Sequence, residues 1–257
     1  MKYLWFSHEK EAEEAHMNIF AFPYVGGSPS FYAPWKRLIP EGVGWYPVLY
    51  PGREGRKEEI ITENLFEMVD QIIEDNRELF LSAPVVLMGH CTGTILAYEC
   101  ARVLKKRLGI DPAYVVLSSS LDPVQSTEIL LKEIVPKQGE SEEDVIVEFL
   151  TSHKMIPEML MNMEGFQEYF LPIYVKDLKM FMNYKSPGKE KVASDALIMF
   201  GDQDTMIDRE TIEDWKDWFS GNVTVLERPG DHYFINNCKP EVLSLITQAV
   251  EKGGGSI

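Results

Sequence analysis

Short apolar runs recur along the chain, and glycine or proline bounds most of them. Runs of four to eight apolar residues with such boundaries are typical of strands buried in a parallel sheet. The pattern predicts six strands, over 17–22, 44–50, 84–88, 114–117, 196–200 and 223–226.

Helical periods lie between these runs. In 62–80 the apolar residues repeat at spacings of three and four, and Thr62 is the predicted N-cap. The segment 94–108 ends in three cations before Gly109, which predicts a helix closed by a C-cap glycine. A terminal amphipathic helix is predicted over 240–252. Strands that alternate with helices predict an α/β fold with a mostly parallel sheet and right-handed crossovers.

The alternation breaks between 122 and 187, where the sequence suggests several helices. Six of the twelve methionines lie in this segment: Met155, Met159, Met161, Met163, Met180 and Met182. Flexible methionines either fill gaps in a core or form a mobile apolar cover over a site that accepts an acyl chain. We therefore predict a single domain over 1–257 with a helical lid inserted at about 123–187, and a gap-filling core is the alternative role for these methionines.

Composition and charge exclude several classes of partner. The chain is 45% hydrophobic and 26% charged, as ordinary globular proteins are. Its 25 Lys+Arg against 41 Asp+Glu give a net charge of −16, which repels nucleic acid and anionic membranes. Three cysteines are too few for a disulfide framework. The N-terminus lacks the apolar core of a secretory signal and no run could span a bilayer, so we expect a cytoplasmic location.

The sequence GHCTG, Gly89–Gly93, is the sharpest chemical signal. It follows a predicted strand and precedes a predicted helix, which is the setting of the G-x-S-x-G nucleophile elbow, with cysteine in place of serine. The flanking glycines permit close backbone approach, and the positive end of the helix favours a thiolate at Cys91. Cys91 is therefore the predicted nucleophile, and a buried structural cysteine in a tight turn is the alternative.

An elbow nucleophile needs a base, and the chain offers five histidines. His8 and His16 precede the first predicted strand, and His153 belongs to the predicted lid. His90 is expected to point away from the nucleophile. His232 follows the last predicted strand, in the order of nucleophile, acid and histidine that this fold requires. His232 is therefore the predicted base.

Four aspartates compete for the role of acid. Asp204 lies deep in the loop after the fifth predicted strand, where it can reach Nδ1 of His232, and it is preferred. Asp202 and Asp208 are alternatives in the same region. Asp122, after the fourth strand, is a separate alternative whose other role is to initiate a turn with the proline that follows.

A glycine-rich loop follows the first predicted strand. Its sequence, FPYVGGS over 22–28, lacks the GxGxxG and GK[ST] patterns of dinucleotide and P-loop sites. Such a loop can donate one backbone N–H to an oxyanion hole, with the second N–H from Thr92, the residue after the nucleophile.

Five motifs occur in a fixed order: FPYVGGS at 22–28, YPGRE at 50–54, GHCTG at 89–93, GDQD at 201–204 and GDHYF at 230–234. Together they resemble the type II, or external, thioesterases of nonribosomal peptide and polyketide assembly lines. The resemblance covers about 17–250. It implies an α/β-hydrolase fold with a helical lid, and hydrolysis of acyl or aminoacyl thioesters carried on the phosphopantetheine arm of carrier proteins, with no cofactor or metal of its own.

Carried over, the resemblance implies a triad of Cys91, His232 and Asp204, with oxyanion donors at Val25 and Thr92. The family usually has serine at position 91 and commonly histidine where this chain has Tyr24. A cysteine nucleophile would form a thioester intermediate that stays activated, so transfer of the acyl group to an amine or thiol is an alternative outcome. A non-catalytic binding protein of this fold, and a cysteine engineered in place of serine, are the further alternatives.

Carrier proteins are usually acidic, so a chain of charge −16 needs a local basic rim to bind one. Three candidate patches follow from the sequence: Lys36 with Arg37, Arg53 with Arg56 and Lys57, and Lys105–Arg107. Each patch has a solvated surface without a partner as its alternative interpretation.

Overall fold

A computed structural model describes residues 4–12 and 14–253; residues 1–3 and 13, within the segment tested for a secretory signal, lie outside the described residues. Six parallel strands form one sheet in the order β2-β1-β3-β4-β5-β6. They are β1 (Met17–Phe22), β2 (Val43–Pro47), β3 (Val85–His90), β4 (Tyr114–Ser118), β5 (Ala196–Gly201) and β6 (Val223–Arg228). The predicted α/β class with a parallel sheet is confirmed.

Eight α-helices in the described residues flank the sheet and connect its strands. They are α1 (Leu65–Asp75), α2 (Arg77–Leu81), α3 (Gly93–Leu108), α4 (Pro123–Glu133), α5 (Glu142–Ser152), α6 (Glu158–Met161), α7 (Leu171–Asn183) and α8 (Lys239–Gly253). Side chains alternate along the strands, so Phe20 and Phe22 pack towards α1 and α3, whereas Ile19 and Ala21 pack towards α8. No helix among residues 4–12 and 14–253 is long and apolar enough to cross a bilayer.

The single helix predicted over 62–80 was wrong in two respects. Asn64, not Thr62, caps α1, because its Oδ1 accepts the N–H groups of Phe66 and Glu67. The helix then breaks at Asn76, whose backbone is not helical and whose side-chain amide donates to the Ile72 carbonyl at 2.7 Å. Both errors have one cause, since asparagine side chains compete with helical backbone bonding.

Four helices, α4 to α7, occupy the segment between β4 and β5. Leu130, Leu150 and Leu178 turn inwards from α4, α5 and α7 and join the core over α3. The methionines of this segment differ widely in exposure. Met180 is 2% exposed and fills the core, whereas Met159 is 81% exposed. That this segment opens as a lid stays a prediction.

The register of the sheet brings the loops with the predicted site residues together at one edge. Phe22 of β1 pairs with Gly89 of β3, and Gly89 pairs with Leu117 of β4. The loops after β1, β3 and β4 therefore leave the sheet side by side, which is where ligands bind in open parallel sheets.

Candidate active site

Cys91 lies on a sharp turn between β3 and α3, where backbone segments pack closely against one another. Its φ is 53°, in the left-handed region, and its N–H donates to the Ser118 carbonyl at 2.8 Å. A Cβ at Gly89 would lie 2.4 Å from the Gly93 carbonyl oxygen, and a Cβ at Gly93 would lie 2.2 Å from that of Phe22. Both glycines are thus required by contact, as the elbow motif predicted, and Cys91 is 7% exposed.

His232 and Asp204 come together across 28 residues of sequence. Nδ1 of His232 lies 2.9 Å from Oδ2 of Asp204, whose side chain is fully buried. The other carboxylate oxygen of Asp204 accepts the Met206 N–H at 3.0 Å. Ser119 Oγ donates to the His232 carbonyl at 2.9 Å, so both ends of the histidine are held. Such an arrangement leaves Nε2 of His232 as the nitrogen available for proton transfer.

The rival carboxylates bond backbone amides instead of the histidine. Asp122 caps α4 by accepting the N–H groups of the third and fourth residues of its turn, at 2.8 and 3.1 Å. Asp202 accepts the Gly230 N–H at 2.9 Å, and Asp208 accepts the Glu210 N–H at 2.9 Å. Of the four candidates, Asp204 is the one that the fold places against His232.

The charges around His232 favour its protonated form. Burial alone would lower the pKa of His232, but the Cys91 thiolate and the hydrogen bond to Asp204 together raise it to about 10. The cation and the thiolate stabilise one another, as in cysteine-histidine pairs generally. Near neutral pH, this raised pKa keeps His232 protonated beside Cys91.

The sequence predicted that His90 points away from the nucleophile, but the His90 ring lies beside the ring of His232. Its ring is fully buried, with its centroid 5.3 Å from that of His232 and stacked 5.3 Å from the ring of Phe31. Nδ1 of His90 bonds Ser118 Oγ at 2.9 Å. Burial, followed by the nearby charge of His232, holds the pKa of His90 well below its usual value, so His90 is neutral.

The two predicted oxyanion donors are adjacent. The Val25 N–H points at Thr92 and donates to its Oγ1 at 2.8 Å. The Thr92 amide lies at the first turn of α3, where backbone N–H groups have no acceptor within the helix. The loop after β1 therefore lies against the residue that follows Cys91, and the Thr92 hydroxyl accepts the Val25 N–H.

Cys91 and His232 open onto an apolar cavity of about 590 Å³ that is partly open to solvent. Its walls come from α3, α4, α5 and α7 and from the loop after β5, and they include Ile95, Leu130, Phe149, Met155, Leu178 and Ile207. Ser119, Ser120 and Ser126 add hydroxyl groups. Apart from Cys91 and His232, none of the described residues that line this acyl-sized cavity, here called the chamber, is ionisable.

A second cavity, of about 300 Å³, meets the chamber at Cys91 and His232. It is more polar, with Tyr24, His153 and Lys154 among its lining residues. Cys91 and His232 thus line both the chamber and this smaller, less apolar cavity.

Comparison with known proteins decides the family. The family model described as Thioesterase domain matches residues 17–250. The chain belongs to the Thioesterase domain family.

Three proteins similar to this thioesterase-family chain are distant in sequence, and the match covers at least 82% of each of them. Gramicidin S biosynthesis protein GrsT of Aneurinibacillus migulanus is 22% identical over 94% of this chain and 92% of its own. The human S-acyl fatty acid synthase thioesterase, medium chain, is 27% identical over 86% and 82%. The solved type II thioesterase BorB, from the borrelidin biosynthetic cluster, superposes with a TM-score of 0.78 at 22% identity, over 96% and 97%. The predicted α/β-hydrolase fold is confirmed.

The predicted basic rim was wrong for two of its residues. Arg53 and Arg56 are each 4% exposed, because Arg53 pairs with Asp177 and Arg56 with Glu59. The patch Lys105–Arg107 is exposed but ends α3, about 20 Å from the nucleophile at 1.5 Å per residue. Lys36, Arg37 and Lys57 are exposed. They stay candidates for the basic rim of this thioesterase-family protein.

Several residues that shape the site had no predicted role. Ser118 and Ser119 directly follow the strand predicted over 114–117, and a polar cluster at the carboxyl end of a central strand is itself a signal of a site. Asp177 and Tyr174 on α7 carried no local signal, because their contacts span 120 residues or more. In the described part of the chain, no cluster of three or more histidine, cysteine or acidic side chains is arranged to hold a metal.

The charge balance at His232 can be tested by titration. We expect His232 to titrate near pH 10 in the thioesterase, because the Cys91 thiolate raises its pKa. Cys91→Ser removes that anion, so the pKa of His232 should fall by well over one unit. Nitrogen chemical shifts of labelled histidine measure both values, and Asp122→Asn, at the helix cap, is the control. An equal pKa of His232 in the wild type and in Cys91→Ser would contradict the ion pair.

Proposed function

We propose that this chain hydrolyses acyl thioesters through a covalent intermediate on Cys91. The observation that carries the proposal is the position of Cys91: it stands on a strained elbow, shares a cavity with His232, and His232 is fixed 2.9 Å from buried Asp204. Nucleophile, base and acid in this relation are the minimum set for acyl transfer. A binding protein of the same fold would not need all three together.

The first half of the reaction forms the acyl-enzyme. The Cys91 thiolate attacks the thioester carbonyl, and the oxygen that becomes negative accepts the N–H groups of Val25 and Thr92. The Val25 proton leaves the Thr92 hydroxyl for this oxygen. The intermediate collapses when its bond to the leaving thiol breaks, and the His232 imidazolium gives that thiol its proton. The acyl group is now a thioester of Cys91.

The second half returns the enzyme. Neutral His232 accepts a proton from a water molecule as the water oxygen attacks the acyl-Cys91 carbonyl. Collapse breaks the carbon–sulfur bond and releases the carboxylic acid, and it restores the Cys91 thiolate beside protonated His232. Asp204 takes no proton in this sequence; it fixes the ring and stabilises its positive charge.

The chamber indicates which acyl groups fit. Each methylene buried there contributes about 0.8 kcal/mol, whereas an ammonium group buried without a partner is strongly disfavoured. Because no described chamber residue supplies a carboxylate, the chamber favours uncharged apolar acyl groups over α-aminoacyl groups. This narrows the acyl or aminoacyl substrates that the resemblance implied.

The relatives support a carrier-bound substrate. GrsT is named for gramicidin S biosynthesis, and the solved structure of ClbQ, at a TM-score of 0.80 and 17% identity, is described as from the colibactin NRPS/PKS pathway. We propose that the substrate thioester is carried on the phosphopantetheine arm of an assembly-line carrier protein. The acyl group would enter the chamber, and the arm would lie in the second cavity beside Tyr24 and Lys154.

A panel of small pantetheine thioesters tests activity and acyl preference together. We expect hydrolysis of octanoyl-pantetheine with a kcat/KM at least about 10-fold above that of leucyl-pantetheine, because the chamber cannot pair the ammonium group. Cys91→Ala should reduce turnover about 10⁴-fold, whereas Cys100→Ala, on the same helix, should not. Equal rates with both substrates contradict the acyl preference. Unchanged turnover in Cys91→Ala contradicts the catalytic role of Cys91.

A specific observation also supports acyl transfer as a second candidate function. A Cys91 thioester keeps its reactivity towards amines and thiols, and the second cavity gives such an acceptor room beside His232. The same assay, run with and without a small amine or thiol and followed by mass spectrometry, separates the two outcomes. Free acid as the sole product in every mixture excludes transfer.

The role of Lys36 and Arg37 in carrier binding can be tested by comparing a carrier-bound substrate with a small one. Charge reversal of Lys36 and Arg37 to glutamate should raise KM several-fold for the acyl-carrier protein and leave acyl-pantetheine unaffected, since only the carrier presents acidic surface. Reversal of Lys105 and Arg107, at the far end of α3, is the matched control. An equal effect of both pairs, or a loss with acyl-pantetheine too, contradicts a docking role for Lys36 and Arg37.

A further inference from the structure

A buried ion pair lies behind the glycine loop of the site. Arg53 belongs to the loop after β2 and Asp177 to α7, and each side chain is 4% exposed. The two groups meet as parallel forks, with Nη2 of Arg53 2.6 Å from Oδ1 of Asp177 and Nη1 2.8 Å from Oδ2. This is the geometry in which arginine and carboxylate bind most strongly.

Both members of the pair also bond the glycine loop. Nη1 of Arg53 donates to the Gly27 carbonyl at 2.8 Å, and the Gly26 N–H donates to Oδ2 of Asp177 at 2.8 Å. Gly26 has a φ of 70°, and a Cβ there would lie 2.3 Å from the ring of Tyr174. The loop is therefore held from one side by the segment after β2 and from the other by α7.

We propose that Arg53 and Asp177 are positioning residues for the oxyanion hole. They fix the backbone at Gly26 and Gly27, directly after Val25, and so hold the Val25 N–H near Cys91, where it can turn from the Thr92 hydroxyl to the carbonyl oxygen that becomes negative. The inference rests on the proposed function, because an oxyanion forms only if Cys91 is acylated. It also gives a role to the YPGRE motif, whose arginine the sequence had assigned to the surface.

Packing alone would not require these charges. Burying an arginine and a carboxylate has a large desolvation cost, and an apolar pair of similar volume often gives equal stability. An apolar pair, however, could not donate to the Gly27 carbonyl or accept from the Gly26 N–H. The polar contacts to the loop are thus the part of this cluster that hydrophobic side chains cannot replace.

The same pair connects the loop to the chamber. Leu178, the residue after Asp177 on α7, lines the chamber wall. A displacement of α7 would therefore change the chamber and the direction of the Val25 N–H together. This link ties the acyl group in the chamber to the geometry in which its carbonyl is attacked.

Two reactions of Cys91 separate positioning from folding. Iodoacetamide is attacked at a saturated carbon and forms no oxyanion, whereas octanoyl-pantetheine must form one. We expect Asp177→Asn to slow acylation of Cys91 by about 10- to 100-fold, with less than a twofold change in KM. Alkylation of Cys91 should stay within about twofold of wild type. Stopped-flow mass analysis measures acylation, and the thermal midpoint records any loss of stability.

Two further variants provide the controls. Glu99 is a fully buried carboxylate paired with Arg102 at 2.6 Å, and the pair makes no contact with the glycine loop among the contacts described for it. Glu99→Gln should lower stability without slowing acylation. The double variant Arg53→Met with Asp177→Leu removes both charges; it should fold well but still acylate slowly, and it carries the test if Asp177→Asn does not fold.

The outcomes are distinct. Slow acylation with normal alkylation in Asp177→Asn and in the double variant supports the positioning role. Normal acylation in the folded double variant overturns it, and so does an equal fall of acylation and alkylation. A wild-type protein that alkylates at Cys91 but is never acylated there overturns the proposed function itself, and this inference with it.

Discussion

The site depends on the contact between Gly93 and the chain leaving β1. The backbone of α3 approaches the carbonyl groups of Phe22 and Pro23 so closely that no side chain fits at Gly93. That approach puts the loop after β1 beside the first turn of α3, and it brings Val25 within hydrogen-bond distance of Thr92. The backbone of Cys91 is strained as well, since the chain turns sharply between β3 and α3. The absence of a side chain at Gly93 thus lets the glycine loop lie beside the turn that carries Cys91.

Two buried charged clusters then hold the parts that the backbone alone leaves free. Asp204 fixes the ring of His232, and Arg53 with Asp177 fixes the loop that carries Val25. Both clusters join segments distant in sequence, at the cost of desolvating charges. His232 and Leu178, the neighbour of Asp177, both line the chamber. Polar contacts behind the wall therefore fix parts of a cavity whose own lining is mostly apolar.

Short sequence patterns correctly predicted the features that depend on neighbouring residues alone. The six strands, the elbow at Cys91 and the C-cap at Gly109 follow from short patterns and agree with the structure. Errors arose where side chains act over distance. Arg53 was expected on the surface, because no local pattern reveals that it pairs with Asp177, 124 residues away. His90 was set aside because the turn geometry does not reveal that β4 and the loop after β6 close over it.

The central claim is that the acyl group passes through a thioester on Cys91. Octanoyl-pantetheine should be mixed with the protein, quenched with acid within milliseconds, and analysed by intact mass and peptide mapping. The account predicts one added octanoyl group, located on the peptide that contains Cys91, labile to neutral hydroxylamine, and formed and lost at rates that match turnover. Turnover with no adduct at Cys91, or with the acyl group on another residue, would contradict it.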